Sequence, residues 1–305
     1  MKVQTEAAKP CSPFTYQTMM DSLAVLSSRY SSLSLGIIGE SVLGRSIPVL
    51  TIGKGEKALL CVGAHSGTDW LSSQLLIRYA EDLLSHYENG AQAFRYSIPY
   101  LLSVRTIYIV PMLNPDGVEY VCHGVGEENV LYERVRAMNG GSEDFSDWRG
   151  NARGVELSRN YAYGFSAHKQ MEGRAGILGG GKSGFSGEMP ESEPETAALC
   201  RFLRYRTEIR GVLSLDQGAE GILHTAGGRG TARSSSIAKA IARMTSYPLR
   251  AENDLDADGA FVSWCMDALN IPAFSVGFST AMGEGNAFWL YTVLREALFT
   301  MPTMI

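Results

Sequence analysis

Apolar residues recur along this chain in two rhythms. Between Tyr16 and Tyr30 the positions Met19, Met20, Leu23, Leu26 and Tyr30 fall near a 3.6-residue period, which predicts a helix. Residues 33–38 and 47–52 read instead as strands, joined by a hairpin connection with glycine near both ends, Gly39 and Gly44. Residues 59–62 form a short, wholly apolar run, the mark of a strand buried on both faces. A helix is predicted over 71–86, with Leu75, Leu76, Tyr79 and Leu83 on one face. Residues 104–110 give another buried strand that Pro111 stops, and Asn114-Pro115-Asp116-Gly117 reads as a turn.

Between Gly124 and Gly187 the periodicity fades into a long segment rich in Gly and Ser, a length that usually marks a functional loop. A helix then opens at 193–196, where Ser192 can cap it, Pro194 suits the first turn and the Glu side chains favour the positive dipole end. That helix runs to about Arg206. A strand follows over 211–216, a helix over 233–245, a short helix over 259–269, a strand over 273–278 and a terminal helix over 288–298. Strands alternating with helices predict an α/β fold, a three-layer α/β/α arrangement around a mixed, mostly parallel sheet. No internal repeat interrupts the pattern, and residues 1–305 are expected to form one domain with a flexible segment over 1–13.

Composition narrows the function classes. A chain of 305 residues with 45% hydrophobic content can bury one substantial core. The net charge of −5 argues against a nucleic-acid or anionic-membrane partner. Arg201, Arg204, Arg206 and Arg210 cluster beside Glu195 and Glu208, as on a solvated helix face. Five scattered cysteines without a short C-x-x-C spacing point to reduced thiols. No apolar stretch approaches membrane-spanning length and no signal-like start is present, so the expected location is the cytoplasm.

The candidate chemistry sits where the run 58–62 ends, in Gly63-Ala64-His65-Ser66-Gly67-Thr68-Asp69-Trp70. Open α/β sheets place ligands outside the carboxyl ends of their strands. This segment resembles the Gly-x-His-x-x-Glu-Trp signature of the zinc carboxypeptidases, often Gly-Ala-His-His-x-x-Glu-Trp in bacterial members. Four further stretches follow in family order. Residues 38–47 resemble the Ile-Gly-x-Ser-x-x-Gly-Arg-x-Ile entrance, and residues 110–117 the Pro-x-x-Asn-Pro-Asp-Gly turn. Residues 148–160 resemble Trp-x-x-Asn-x-x-Gly-Val-Asp-Leu-Asn-Arg-Asn, and residues 190–196 the Ser-Glu-Pro-Glu-Thr helix start. The resemblance spans almost the whole chain and is strongest to the bacterial γ-D-glutamyl-L-diamino-acid peptidase branch. It implies a sheet of about eight strands, a zinc-dependent peptidase ancestry, and a peptide partner with a free carboxylate, of the kind derived from murein.

The family's zinc ligands do not carry over. Ser66 stands at the ligand-His position, Asp69 at the ligand-Glu position and Asp216 near the third ligand His, while Gly277 occupies the general-base Glu. Zinc hydrolysis needs three protein ligands, an open fourth position and a carboxylate to move protons. Two carboxylates and a hydroxyl suit hard cations better. The expectation is therefore no resident cofactor, with zinc implied only by the family. His65 is a weak alternative ligand, with Asp69 four residues on; His224 and Glu284 could in principle return to the site. His86, His123 and His168 have no partner spacing and receive no role.

The substrate-holding half is better kept. By resemblance Arg159 grips a substrate carboxylate and Arg149 helps polarise the scissile carbonyl, with Ser158 in place of the usual Asn and Phe261 offered where the family has a substrate-side Tyr. A guanidinium fork suits a carboxylate through two parallel bonds. Three functions stay open: a non-catalytic or impaired carboxylate-binding module, a metallopeptidase with a rebuilt site, and a metal-free hydrolase in which Asp69 and Asp216 work as an acid/base pair.

Overall fold

The computed structural model describes residues 13–218, 220–224, 231–250, 260–279 and 287–305. In chain order the elements are α1 (Tyr16–Arg29), β1 (Leu33–Glu40), β2 (Ser46–Gly53), β3 (Lys57–Val62), α2 (Trp70–Glu88), β4 (Gln92–Ala93), β5 (Tyr96–Ser97), α3 (Ile98–Val104), β6 (Arg105–Val110), α4 (Pro115–His123), α5 (Tyr132–Met138) and a 3-10 turn at Leu157–Arg159. Then come α6 (Phe165–Ala175), α7 (Pro194–Tyr205), β7 (Ile209–Gln217), β8 (Gly221–Leu223), α8 (Ala232–Thr245), α9 (Ala260–Leu269), β9 (Ala273–Phe278) and α10 (Ala287–Met304).

Among the described residues the main sheet has seven strands in the order β1-β2-β6-β3-β7-β9-β8. It is mixed: β3 pairs in parallel with β6 and β7, and β7 with β9, whereas β1–β2, β2–β6 and β8–β9 are antiparallel. The central strands β3, β7 and β9 are buried almost throughout, as strands covered on both faces must be. Alternate residues of β3 serve opposite layers. Leu59 and Cys61 join a core with α1, α2, α3, α8 and α10. Leu60 and Val62 join a second core with α7, α9 and the 3-10 turn. This is the three-layer arrangement expected. β1 is an edge strand, and it carries edge protection: a register irregularity between Ile37 and Gly39, and the Arg201 guanidinium donating to the Ile38 carbonyl.

Several local expectations change. Asn114-Pro115-Asp116-Gly117 starts a helix rather than a free turn: Asn114 Oδ1 accepts the Gly117 amide at 3.0 Å and Pro115 occupies the first turn. Residues 98–104 form a helix before β6 begins at Arg105. Between Gly124 and Gly187 the chain contains α5, the 3-10 turn and α6. Ser192 does not cap α7; Glu193 stands at the cap without a side-chain bond to the helix, and Ser192 Oγ donates to the Glu193 carboxylate. Glu195 is fully buried, not on a solvated face, while Arg204 pairs with Glu191. Four cysteines, Cys61, Cys122, Cys200 and Cys265, are free thiols. No helix among the described residues is long and apolar enough to cross a membrane.

Candidate functional site

The turn after β3 is built under tension. Ala64 has φ of 51°, a left-handed conformation uncommon for a residue with a Cβ, and it is held by the Ser72 hydroxyl on its amide and the Asn114 amide on its carbonyl. Gly67 has no room for a side chain, because a Cβ there would meet the Trp148 carbonyl at 2.5 Å and the Gly117 carbonyl at 2.7 Å. Its amide donates to the Arg149 carbonyl at 3.1 Å. Asn114 Nδ2 completes the junction, donating to the carbonyls of His65 at 3.2 Å and Gly150 at 3.1 Å. The long segment is thereby fixed against the strand-end turn and forms a wall beside it.

The floor is formed where β3, β7 and β9 end side by side. Asp216 and Gly277 are register partners on neighbouring parallel strands, and Asp69 starts α2. Asp69 is 2% exposed, and burial, reinforced by the nearby Asp216 charge, pushes its carboxyl well above the usual range. Asp216 accepts from Ser275 Oγ at 2.7 Å and from Ser214 Oγ at 3.1 Å, two serines on the same sheet face. Ser66 Oγ and Thr68 Oγ1 share a hydrogen bond of 2.8 Å. His65 is buried against Phe261 and shares a 3.0 Å hydrogen bond through Nε2 with the Tyr161 hydroxyl. Burial pulls its imidazole down to about 3, so it is neutral at physiological pH.

The wall carries the cations. Glu156, 2% exposed, faces both guanidiniums: Arg149 Nε donates to Oε1 at 2.8 Å, and Arg159 Nε lies 3.1 Å from Oε2. The Gly184 amide also donates to Oε2 at 2.8 Å. Burial alone would raise this carboxyl, but the Arg149 and Arg159 charges and the Gly184 amide outweigh it and hold Glu156 below its ordinary value. Ser158 is buried beside them, and its hydroxyl has no hydrogen-bond partner among the described residues. His168, which had no expected role, is buried with Nδ1 3.4 Å from the Arg159 carbonyl.

The structure thus brings Asp216 and Gly277 together at one sheet edge, with Asp69 close enough to feel the Asp216 charge, and gathers Arg149, Ser158 and Arg159 on one short segment. It does not bring His224 there. That residue follows β8, which runs antiparallel to β9 from Gly277 toward Ser275, so the chain carries it away from the carboxyl end. Glu284 lies outside the described residues. Glu156 and Asn114 were missed as organising residues, although both stood inside the quoted motifs. A second supporting layer was missed too: Asn151 Nδ2 donates to Glu193 at 2.8 Å and Glu195 at 3.1 Å, and Asn160 Nδ2 to the Ser186 carbonyl at 2.7 Å. Buried amides facing carboxylates in this way fix the segment's path.

The zinc carboxypeptidase family model matches residues 19–292, and the chain belongs to that family. Among curated relatives it is similar to gamma-D-glutamyl-L-diamino acid endopeptidase 1 of Lysinibacillus sphaericus, 26% identical over 286 residues, covering 93% of this chain and 70% of that protein. Among solved structures it resembles bovine thrombin-activatable fibrinolysis inhibitor in complex with tick carboxypeptidase inhibitor. The TM-score is 0.70 at 18% identity, with 96% of each chain covered. It also resembles murein-tripeptide amidase MpaA of Escherichia coli O157, with a TM-score of 0.51 at 21% identity, covering 87% of this chain and 92% of the amidase. The structural likenesses establish the fold.

Proposed function

We propose that this protein is a peptide-binding member of the zinc carboxypeptidase family that recognises a free carboxylate and has given up zinc-dependent hydrolysis. The observation that carries the reading is the chemistry of the floor. At the three ligand positions stand a hydroxyl engaged with Thr68, a buried carboxyl whose pKa is raised, and a carboxylate occupied by two serine hydroxyls. These donors do not fit zinc, which is held by imidazole nitrogen or thiolate with at most part of its shell from carboxylate. Gly277 offers no group to take a proton from water.

The wall supports binding. Two guanidiniums on a fixed segment are the side chains best shaped for a carboxylate. A relative is named for γ-D-glutamyl-L-diamino acid cleavage and a structural neighbour for murein tripeptide. On that ground the ligand is a peptide of the γ-D-glutamyl-diamino-acid class. The second reading is a metallopeptidase with a rebuilt site. It rests on two buried atoms, Asp69 Oδ1 and His65 Nδ1, that have no hydrogen-bond partner among the described residues.

Elemental analysis of protein purified without chelator, alongside titration with γ-D-glutamyl-diaminopimelate, tests both readings. Binding without stoichiometric metal and without cleavage is the expected result. About one zinc per chain, together with cleavage that a chelator stops, would overturn the binding reading and establish the rebuilt site.

A further inference from the structure

Behind the wall, buried carboxyls from two helices meet around the connection between β1 and β2. Asp116 of α4 and Glu195 of α7 are fully buried, and Glu193, at the cap of α7, is nearly so. Asp116 accepts from Ser41 Oγ and from the Leu43 amide, both at 2.9 Å, and pairs with the Arg45 guanidinium. Glu195 takes the amide between them: its Oε1 accepts from Val42 at 3.1 Å. Its Oε2 accepts from Asn151 Nδ2, which also donates to Glu193. Asn151 Oδ1 in turn accepts the Arg153 amide at 2.9 Å and the Val155 amide at 3.1 Å. Val42 and Leu43 pack against the cluster that holds Trp148 and Ala152. Through Glu195, therefore, the β1–β2 connection and the wall are one joint.

The charges of this joint do not balance. Arg45 is taken by Asp116, and Arg153, half exposed, lies 3.5 Å from Glu193. Glu195 has only neutral donors among the described residues, the amides of Val42 and Asn151. A carboxylate closed off from water without a cation is costly, whereas a carboxylic acid in the same place is not.

We infer that Glu195 is a proton-dependent latch between the β1–β2 connection and the wall, closed while its carboxyl is neutral and loosened when the carboxyl ionises. The inference stands apart from what the cleft binds. Burial, with the Asp116 charge added, outweighs the amide hydrogen bonds and pushes Glu195 up from an ordinary 4.5 to about 7. The folded value lies above the unfolded one. The latch's contribution is therefore complete below about 4.5 and is lost as pH rises through about 7. Loosening falls in the neutral range, where an unburied glutamate is already ionised.

Hydrogen exchange of the full chain, read by mass spectrometry at pH 6, 7 and 8, tests the latch. Protection factors remove the intrinsic pH dependence of exchange. Segments 42–45 and 151–155 are expected to lose protection by about tenfold between pH 6 and 8. Glu195→Gln, which stays neutral, is expected to hold both segments constant to within about twofold. Asp69→Asn is expected to keep the wild-type loss, since the floor's buried acid is a separate group. Flat protection in wild type overturns the latch. So does a Glu195→Gln variant that retains the loss, and so does an Asp69→Asn variant that abolishes it. Loss confined to one segment overturns the joint. Should Glu195→Gln not fold, the wild-type profile and Asp69→Asn still decide the matter.

Discussion

Two buried carboxyls, Asp69 on the floor and Glu156 on the wall, are equally withdrawn from water, each 2% exposed. They are driven in opposite directions. Asp69 meets burial and another carboxylate, Asp216, and its pKa rises; Glu156 meets two guanidiniums and an amide, and its pKa falls. Burial alone does not set the charge of a site; the company of the buried group does. The floor thus sets a buried acid of raised pKa near a carboxylate that two serine hydroxyls engage, while the wall sets a buried carboxylate against two guanidiniums. A reaction centre needs a group held in readiness at the floor, and here the readiness lies at the wall.

On the binding reading, the largest expected effect comes from giving the floor the family's nitrogen ligands. Ser66→His, Asp69→Glu and Asp216→His together restore a two-imidazole, one-carboxylate set on the same strand ends, and a micromolar zinc site corresponds to about 8 kcal/mol of binding free energy. Thermal denaturation with added Zn²⁺ should show a rise for the triple variant and none for wild type, because a ligand binding only the native state stabilises it. An equal rise in wild type would erase the contrast between floor and wall. Next in size, Arg159→Ala should weaken γ-D-glutamyl-diaminopimelate binding roughly 100-fold, or about 3 kcal/mol, as expected for truncating one partner of a charged hydrogen-bonded pair. Calorimetry reads this directly, and unchanged affinity would move the carboxylate site elsewhere.

The opposite pKa shifts predict opposite pH signatures. Asp69 holds its proton more tightly folded than unfolded, so its contribution is complete below its unfolded value, near 3.8, and is lost as pH rises toward the raised folded value. Glu156 behaves in reverse: its contribution is present above its unfolded value, near 4.5, and is lost as pH falls through the lowered folded one. Asp69→Asn should therefore gain on wild type as pH rises, on the order of 1–2 kcal/mol. Glu156→Gln should lose most near neutrality, by about 2 kcal/mol once the partial exposure of both arginines is allowed for, and least in acid. Urea denaturation at pH 4, 6 and 8 separates the two; parallel profiles would mean that floor and wall do not differ electrostatically.

Much of this contrast was legible in the residues. The strand–turn–helix frame around His65 and the positions Ser66, Asp69 and Asp216 stand in order along the chain, because strand ends and helix starts are local patterns. The helices within 124–187 were hidden: α6 carries a weak apolar stripe and is held by tertiary contacts such as Glu172 to Ser186, which periodicity does not register. The helix behind Asn114 was misread because Asn-Pro serves equally as a turn or as a cap followed by a first-turn proline. Glu156 was passed over for a different reason. Its significance lies in two partners placed seven residues before and three after it, and only the folded segment shows that one carboxylate reaches both.

The smallest expected effect is the sharpest probe of the remaining candidate ligand, His65. Its Nε2 is engaged by the Tyr161 hydroxyl and its Nδ1 has no partner among the described residues. Tyr161→Phe removes the hydroxyl while keeping the ring against Phe261 and Trp264. In a protein that leaves this imidazole to hydrogen bonding, the change strands a second buried nitrogen and costs about 1 kcal/mol, the same with or without Zn²⁺. In a protein that uses His65 as a ligand, freeing Nε2 would make it available to the metal, and added Zn²⁺ would recover or exceed the lost stability. Wild type and variant compared by urea denaturation in chelator and in zinc give the answer, and zinc-dependent recovery would make His65 a metal ligand and overturn the binding reading of the floor.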